Sequence, residues 1–198
     1  MIKFNNLSQD TPYQILKEKY DDAEKAGQKI IEALSVSSYS KELKEVNSRF
    51  VNLKFVDNRE FIFFSNYNSP KSKEFLTHNQ IIAVIYWNTI NVQIRMRAEI
   101  KKTTKEFNQE YFEQRDKAKN ALAISSMQSA EISSYKEVEN NYNNVLKTKN
   151  LTKCPDYWGG YTFLPYFFEF WQGHDSRLNK REVFELVGDS WKHKFLQP

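Results

Sequence analysis

Cysteine is nearly absent from this chain. Cys154 is the only one among 198 residues, which excludes an internal disulfide and any multi-cysteine zinc site. The three histidines, His78, His174 and His193, show no paired ligand spacing, so no metal is expected. The opening segment MIKFNNLSQD lacks an apolar h-region, and no secretory leader is expected from it. The longest apolar run, Ile81 to Trp87, has the length of a strand and cannot span a bilayer. The expectation is a reduced, cytoplasmic protein with no membrane partner. Charge is also modest: the net value is +4 and the pI about 8.9. Lys and Arg are scattered rather than blocked, so nucleic acid is not an expected partner, and a phosphorylated small molecule suits the surplus as well. No Ser/His/Asp triad, P-loop or GxGxxG turn occurs. Catalysis by side chains alone is therefore not expected, and a cofactor would have to supply reactivity.

What the chain does have is aromatic mass. Hydrophobic residues make up 40% and aromatic residues 15%, against five Gly and five Pro, a composition that argues for a packed core rather than disorder. The length suits one domain. Asp10-Thr11-Pro12 opens a helix that Gly27 stops, with Tyr13, Leu16, Tyr20 and Ala23 at helical spacing. Strand patterns follow over Ile30–Val36, Arg49–Val56 and Phe61–Ser65. In the second, Val51, Leu53 and Phe55 alternate with Asn52 and Lys54, and Asp57-Asn58-Arg59 reads as a hairpin turn. Ser69-Pro70-Lys71 opens a short helix to about His78. Ile81–Trp87 and Asn91–Lys102 pair around Asn88-Thr89. Thr103-x-x-Glu106 reads as a capping box for a helix through Arg115, and a further helix lies around Tyr135–Leu146. After Gly159-Gly160 come strands over Gly160–Trp171, Arg181–Val187 and, beyond the Gly188-Asp189 turn, Ser190–Phe195. Strands in mostly hairpin order with inserted helices predict a mainly β fold, an antiparallel barrel with peripheral helices.

Phosphate recognition is the most readable chemistry. The helix start at Ser69-Pro70-Lys71, following Ser65-Asn66, offers free backbone N–H groups and an ammonium. Arg49 and Lys54 on a neighbouring strand would complete a cationic pocket; an ordinary capped helix with solvated lysines fits the same spacing. Tyr111 and Arg115 stand at i and i+4, with Lys119 a further turn on. That row suits a second phosphate and equally an amphipathic surface helix. Trp171-Gln172-Gly173, followed by Arg177 and Arg181, suits a flat aromatic anion, or a hairpin with a packed indole.

These pieces fall into register with one family. From about Thr11 to Pro198 the chain resembles pyridoxamine 5′-phosphate oxidases. The resemblance lies in RFVNLK (Arg49–Lys54), FFSNYNSPK (Phe63–Lys71), YF-x-x-R (Tyr111–Arg115), QS (Gln128-Ser129), WGGY (Trp158–Tyr161) and EFWQG…RLNKR (Glu169–Arg181). It implies one FMN-binding split-barrel domain over residues 1–198, with a helix at about 11–26 and a C-terminal dimerisation and flavin-binding segment at about 155–198. It implies FMN contacts from Arg49, Phe50, Val51, Lys54, Phe64, Ser65, Lys71, Gln93, Gln128, Ser129, Trp171 and Arg181, with the flavin at a homodimer interface. Lys54, Tyr111, Arg115 and Lys119 would hold the phosphate of a vitamin B6 substrate, and Arg177 would cover its ring. The implied reaction oxidises pyridoxine or pyridoxamine 5′-phosphate to pyridoxal 5′-phosphate, with dioxygen reduced to hydrogen peroxide. Arg177 and Asn179 are the catalytic candidates.

The chain also departs from the family pattern. Asn179-Lys180 stands where the motif has His-Asp, and Asn cannot titrate near neutrality. Pro70 replaces a basic residue, Phe64 a Tyr, Lys119 a Ser, and Phe195 an Arg. Three readings therefore stand side by side: a working oxidase, a flavin-dependent relative acting on another substrate, and a flavin or pyridoxal phosphate binder without turnover.

Overall fold

The computed structural model describes residues 1–198. In chain order the elements are β1 (Lys3–Asn5), α1 (Thr11–Lys25), β2 (Ala33–Ser40), β3 (Glu45–Asp57), β4 (Glu60–Asn66), α2 (Pro70–Thr77), β5 (Gln80–Trp87) and β6 (Val92–Lys102). They continue with α3 (Lys105–Gln114), α4 (Lys117–Ser125), α5 (Tyr135–Thr148), β7 (Trp158–Gln172), β8 (Lys180–Val187) and β9 (Ser190–Leu196). All nine strands belong to one hydrogen-bonded sheet. Because β4 pairs with both β3 and β7, the sheet closes into a ring, β3-β2-β5-β6-β7-β4, from which β8 and β9 extend on one side and β1 on the other. Closure pairs every strand of the ring on both sides and leaves β1 and β9 as the end strands of the sheet.

The antiparallel barrel with peripheral helices expected from the pattern is what forms, with one parallel exception: β1 runs along β3, Lys3 opposite Phe55. The long strand β7 explains how the ring splits. Its first half pairs with β4 from Trp158 to Phe163. Its second half pairs with β8 from Phe167 to Gln172. The register against β6 slips at Tyr166, which lies unpaired between Pro165 (opposite Ala98) and Phe167 (opposite Arg97). The clean alternation of β6 decides the inside: Val92, Ile94, Met96, Ala98 and Ile100 are all buried. Tyr13, Leu16, Tyr20 and Ala23 of α1 are buried against the same core.

Four expectations need correcting. The second strand begins at Ala33, because Ile30 takes a left-handed turn (φ 49). The alternation in β3 breaks at Lys54: Leu53 faces Phe63 while Phe55 faces Ile62, so Lys54 is the extra residue of a bulge and Phe55 leaves the core. The N-cap of α3 is Thr104, whose side chain accepts from Phe107 N. Thr103 instead donates to Asn108 Oδ1 at 2.6 Å and bonds Gly160 O. Finally, α3 stops at Gln114. Asp116 caps a separate helix, α4, by accepting from Lys119 N, so Tyr111, Arg115 and Lys119 do not form one helical row.

Candidate active site

The first cluster lies where β4 hands over to α2. Lys71 is buried and donates to Ser65 Oγ (3.2 Å), Ser69 Oγ (3.0 Å) and Gln128 Oε1 (3.0 Å). Gln128 arrives from the loop after α4, and its Oε1 also accepts from Ser65 Oγ. Ser129 follows it in a left-handed conformation (φ 69). Every partner of Lys71 is neutral. Burial, with Arg49 adding to it and Glu74 opposing it, pushes its ammonium down to about 8. Arg49 points into the same corner, where Nη1 donates to Val36 O and Ser38 Oγ and Nη2 pairs with Glu74 at 3.0 Å. Glu74 is buried and also accepts from Asn47 Nδ2 and Ser38 Oγ. It stands one turn after Lys71 on the buried face of α2, the only sequence signal that pointed to it.

The second cluster adjoins the first. A cavity of about 230 Å³ is lined by Phe64, Ser65, Gln128, Arg115, Lys119 and Trp158. Arg115 and Lys119 also line a neighbouring cavity of about 420 Å³ with Lys3, Lys54 and Tyr111. The four candidates for substrate phosphate, Lys54, Tyr111, Arg115 and Lys119, thus meet although they come from three elements: the bulge of β3, α3 with its C-cap, and α4. Phe64 stacks on Tyr111 with ring centroids 3.8 Å apart and planes 9° from parallel, and on Trp158 at 5.1 Å. The Arg115 guanidinium lies 5.0 Å from the Trp158 ring centroid. Lys54 is drawn below the usual lysine range by burial, then by Lys119 and Arg115, with Glu32 opposing. Arg115 is drawn down by burial, and the Tyr111 hydroxyl is pushed up by burial, with Arg115 opposing. Two carboxylates stand against Lys3, Lys54, Arg115 and Lys119: Glu32, 4.0 Å from Lys54, and Asp116, which lines the larger cavity and opposes the fall at Arg115. This is a cationic pocket short of counter-charge.

The third cluster is on the outer face of the sheet. Gln93 pairs with Trp171, and Trp171 with Arg181, so the three stand in one row across β6, β7 and β8. Arg181 is held by Glu169, with Nε to Oε1 at 2.8 Å, while Arg95 Nε reaches Oε2 at 3.1 Å. Burial raises the Glu169 carboxyl, but the two arginines outweigh it and hold it below the usual range. The β7–β8 loop carries Arg177 in a left-handed conformation (φ 61). That conformation is fixed by Arg177 N donating to His174 O, and by His174 N donating to Asn179 Oδ1 at 3.0 Å. Phe50 lies one row away, 77% exposed, on the same outer face, whereas Val51 is partly buried against the core. None of the third-cluster residues lines either cavity. The candidate residues therefore fall into two groups within one chain.

Asn108, Asn120, Glu74 and Glu169 are the functional neighbours that the sequence reading missed. Asn108 welds the WGGY strand to α3: its Oδ1 accepts from Gly160 N at 2.8 Å and its Nδ2 donates to Tyr67 Oη. A Cβ at Gly159 would overlap Tyr67 Oη and the Asn108 carboxamide, which explains the glycine.

Comparison with known proteins fits this geometry. The family described as "Pyridoxine 5'-phosphate oxidase C-terminal dimerisation region" matches residues 158–198. The pyridoxine/pyridoxamine 5'-phosphate oxidase of Colwellia psychrerythraea is 34% identical over 194 residues, covering 96% of this chain and 88% of that one. The protein of the same name from Cytophaga hutchinsonii is 38% identical over 146 residues, 72% of this chain and 67% of the other. Among solved structures, PhzG of Burkholderia lata 383 in complex with tetrahydrophenazine-1-carboxylic acid superposes with a TM-score of 0.88 at 24% identity, over 94% of this chain and 92% of that one. That likeness speaks for the fold alone. With relatives above 30% identity along nine-tenths or more of its length, this chain belongs to the pyridoxine/pyridoxamine 5'-phosphate oxidase family of oxidoreductases.

Proposed function

We propose that this chain is an FMN-dependent oxidase that converts pyridoxine 5′-phosphate or pyridoxamine 5′-phosphate to pyridoxal 5′-phosphate in the cytoplasm, with dioxygen as acceptor. The observation that carries the reading is the pocket lined by Lys54, Tyr111, Arg115 and Lys119, four side chains suited to a phosphate, beside a separate buried ammonium at Lys71. Two cationic sites sharing a wall suit two phosphorylated molecules held side by side. The donor set at Lys71 fits the FMN phosphate: an ammonium among neutral oxygens, the start of α2, and Arg49 close by. Gln93, Trp171 and Arg181 suit the flavin ring, but they line neither cavity of their own chain. Uniting both groups in one site is the role this reading gives to a second copy of the chain, and the match to a C-terminal dimerisation region supports a homodimer with the flavin at its interface.

When bound, FMN supplies the hydride acceptor and passes two electrons to dioxygen. The pyridoxine substrate and O2 give aldehyde and H2O2. The pyridoxamine substrate takes up water as well and releases ammonium. The chain's own contribution is placement. Arg115, Lys54, Lys119 and Tyr111 hold the substrate phosphate, Trp171 and Arg181 fix the opposite wall, and Arg177 covers the substrate ring. Asn179 serves Arg177 by accepting from His174 N and moves no proton. The test is selectivity for the phosphate. The KM for pyridoxamine 5′-phosphate is expected far below that for pyridoxamine, and Arg115→Ala is expected to erase most of the difference. Equal KM values in the unaltered protein would reject the substrate assignment, and failure to bind FMN in a fluorescence titration would reject the cofactor.

A further inference from the structure

Arg115 ends α3 in an extended conformation (φ −76, ψ 150), so the helix does not orient its side chain. Something else does. Its Nη1 donates to Lys119 O at 2.8 Å and to Asn120 Oδ1 at 3.0 Å, which uses both hydrogens of that nitrogen. Asn120 has no exposed surface. Its Nδ2 donates to Phe112 O in the last turn of α3 (2.7 Å) and to Leu151 O in the loop after α5 (2.8 Å). One buried carboxamide thus joins three segments and turns its only acceptor toward the guanidinium. The Trp158 indole bounds the same guanidinium on one face. With Nη1 engaged, the Nε–Nη2 edge is left for a ligand in the two cavities that Arg115 lines, and that edge matches two oxygens of one phosphate.

We infer that Asn120 is a positioning residue for phosphate recognition, setting Arg115 so that it binds the substrate phosphate through its Nε–Nη2 edge. The inference rests on the assignment of Arg115 to the substrate phosphate. It assigns a function to a buried residue that touches no ligand, and it separates Arg115 from a surface arginine free to swing. A lysine at 115 cannot use this arrangement, because one nitrogen cannot both donate to the anchoring oxygens and present a planar fork.

The test is a double-mutant cycle on the FMN-loaded protein, using Asn120→Ala, Arg115→Ala and the pair. Two quantities are read: KM and kcat for pyridoxine 5′-phosphate, and the calorimetric Kd of inorganic phosphate. Asn120→Ala is expected to raise KM and the phosphate Kd about tenfold, with kcat changed by less than about twofold. In the Arg115→Ala background the same change is expected to add less than about twofold, since the anchor then holds nothing. Equal factors in both backgrounds would overturn the inference, as would a fall in kcat at constant KM, because either describes a purely structural asparagine. If Arg115→Ala alone leaves KM and Kd unchanged, the phosphate assignment of Arg115 fails and takes this inference with it. Should Asn120→Ala not fold, Asn120→Ser replaces it in the cycle: its hydroxyl is too short to reach Nη1, and the same coupling is expected.

Discussion

At Lys71, burial and the Arg49 guanidinium push the ammonium down to about 8 from the ordinary 10.5. The folded, ligand-free chain therefore holds this proton less tightly than the unfolded chain, and stability from this group rises as pH climbs from about 8 towards 10.5. Below pH 8 the folded state carries the full penalty, on the order of 3 kcal/mol. Lys71→Met is accordingly expected to melt higher than the unaltered protein at pH 7 without ligand, with the gap closing above pH 9, and to bind FMN far more weakly. A lower melting temperature at pH 7 would show that the hydrogen bonds of Lys71 outweigh its desolvation. Bound anion favours the charged lysine, so FMN affinity is expected to fall as pH rises through about 8. Asn179 is the other residue where chemistry and structure meet. Asn179→Ala removes the acceptor for His174 N, worth about 1 kcal/mol. It is expected to lower kcat/KM several-fold while FMN affinity in a fluorescence titration holds. Weakened FMN binding would instead place Asn179 in the flavin site.

The elements differ in how far their sequences reveal them. β6 is legible because its two faces differ at every position, apolar inside and Gln93, Arg95, Arg97 outside. β1 is not: three residues paired in parallel to β3 carry no period, and only tertiary contact makes them a strand. α4 stays hidden because Lys117–Ser125 follows Arg115 with no Gly or Pro to mark the break. The bulge at Lys54 leaves no sequence trace, yet it sends Phe55 out to meet Tyr111 at 5.5 Å and puts Lys54 in the cationic pocket. The weld between α3 and β7 can be tested directly. Gly159→Ala drives a methyl into Tyr67 and Asn108, and is expected to cost about 1–3 kcal/mol. Thermal melting reads the loss, and a change within error would mean that the strand can retreat from α3. Because α3 carries Tyr111 and leads into Arg115, KM is expected to rise with it.

For the molecule as a whole, the candidate residues divide between a cationic corner and an outer sheet face. The sequence identified members of both groups, Lys71 and Ser65 through a helix start, Trp171 and Arg181 through a polar loop. It did not show that they separate, because separation depends on strand register. That register lines up Phe50, Ser35, Val84, Arg95, Glu169 and Val183 in one row across six strands. Phe50 (77% exposed), Val46 (72%), Tyr86 (53%) and Ile82 (40%) leave apolar surface on this face. If two copies meet there, Phe50→Asp is expected to halve the mass seen by light scattering and to release FMN in the same concentration range; a monomer that still binds FMN tightly would dissociate the two events. The central claim is tested most directly by oxidation in air. The FMN-loaded protein, given pyridoxamine 5′-phosphate, is expected to form pyridoxal 5′-phosphate and hydrogen peroxide in equal amounts, with the rate falling sharply in Arg177→Ala. Yellow protein that forms neither product from either phosphorylated vitamer would contradict it.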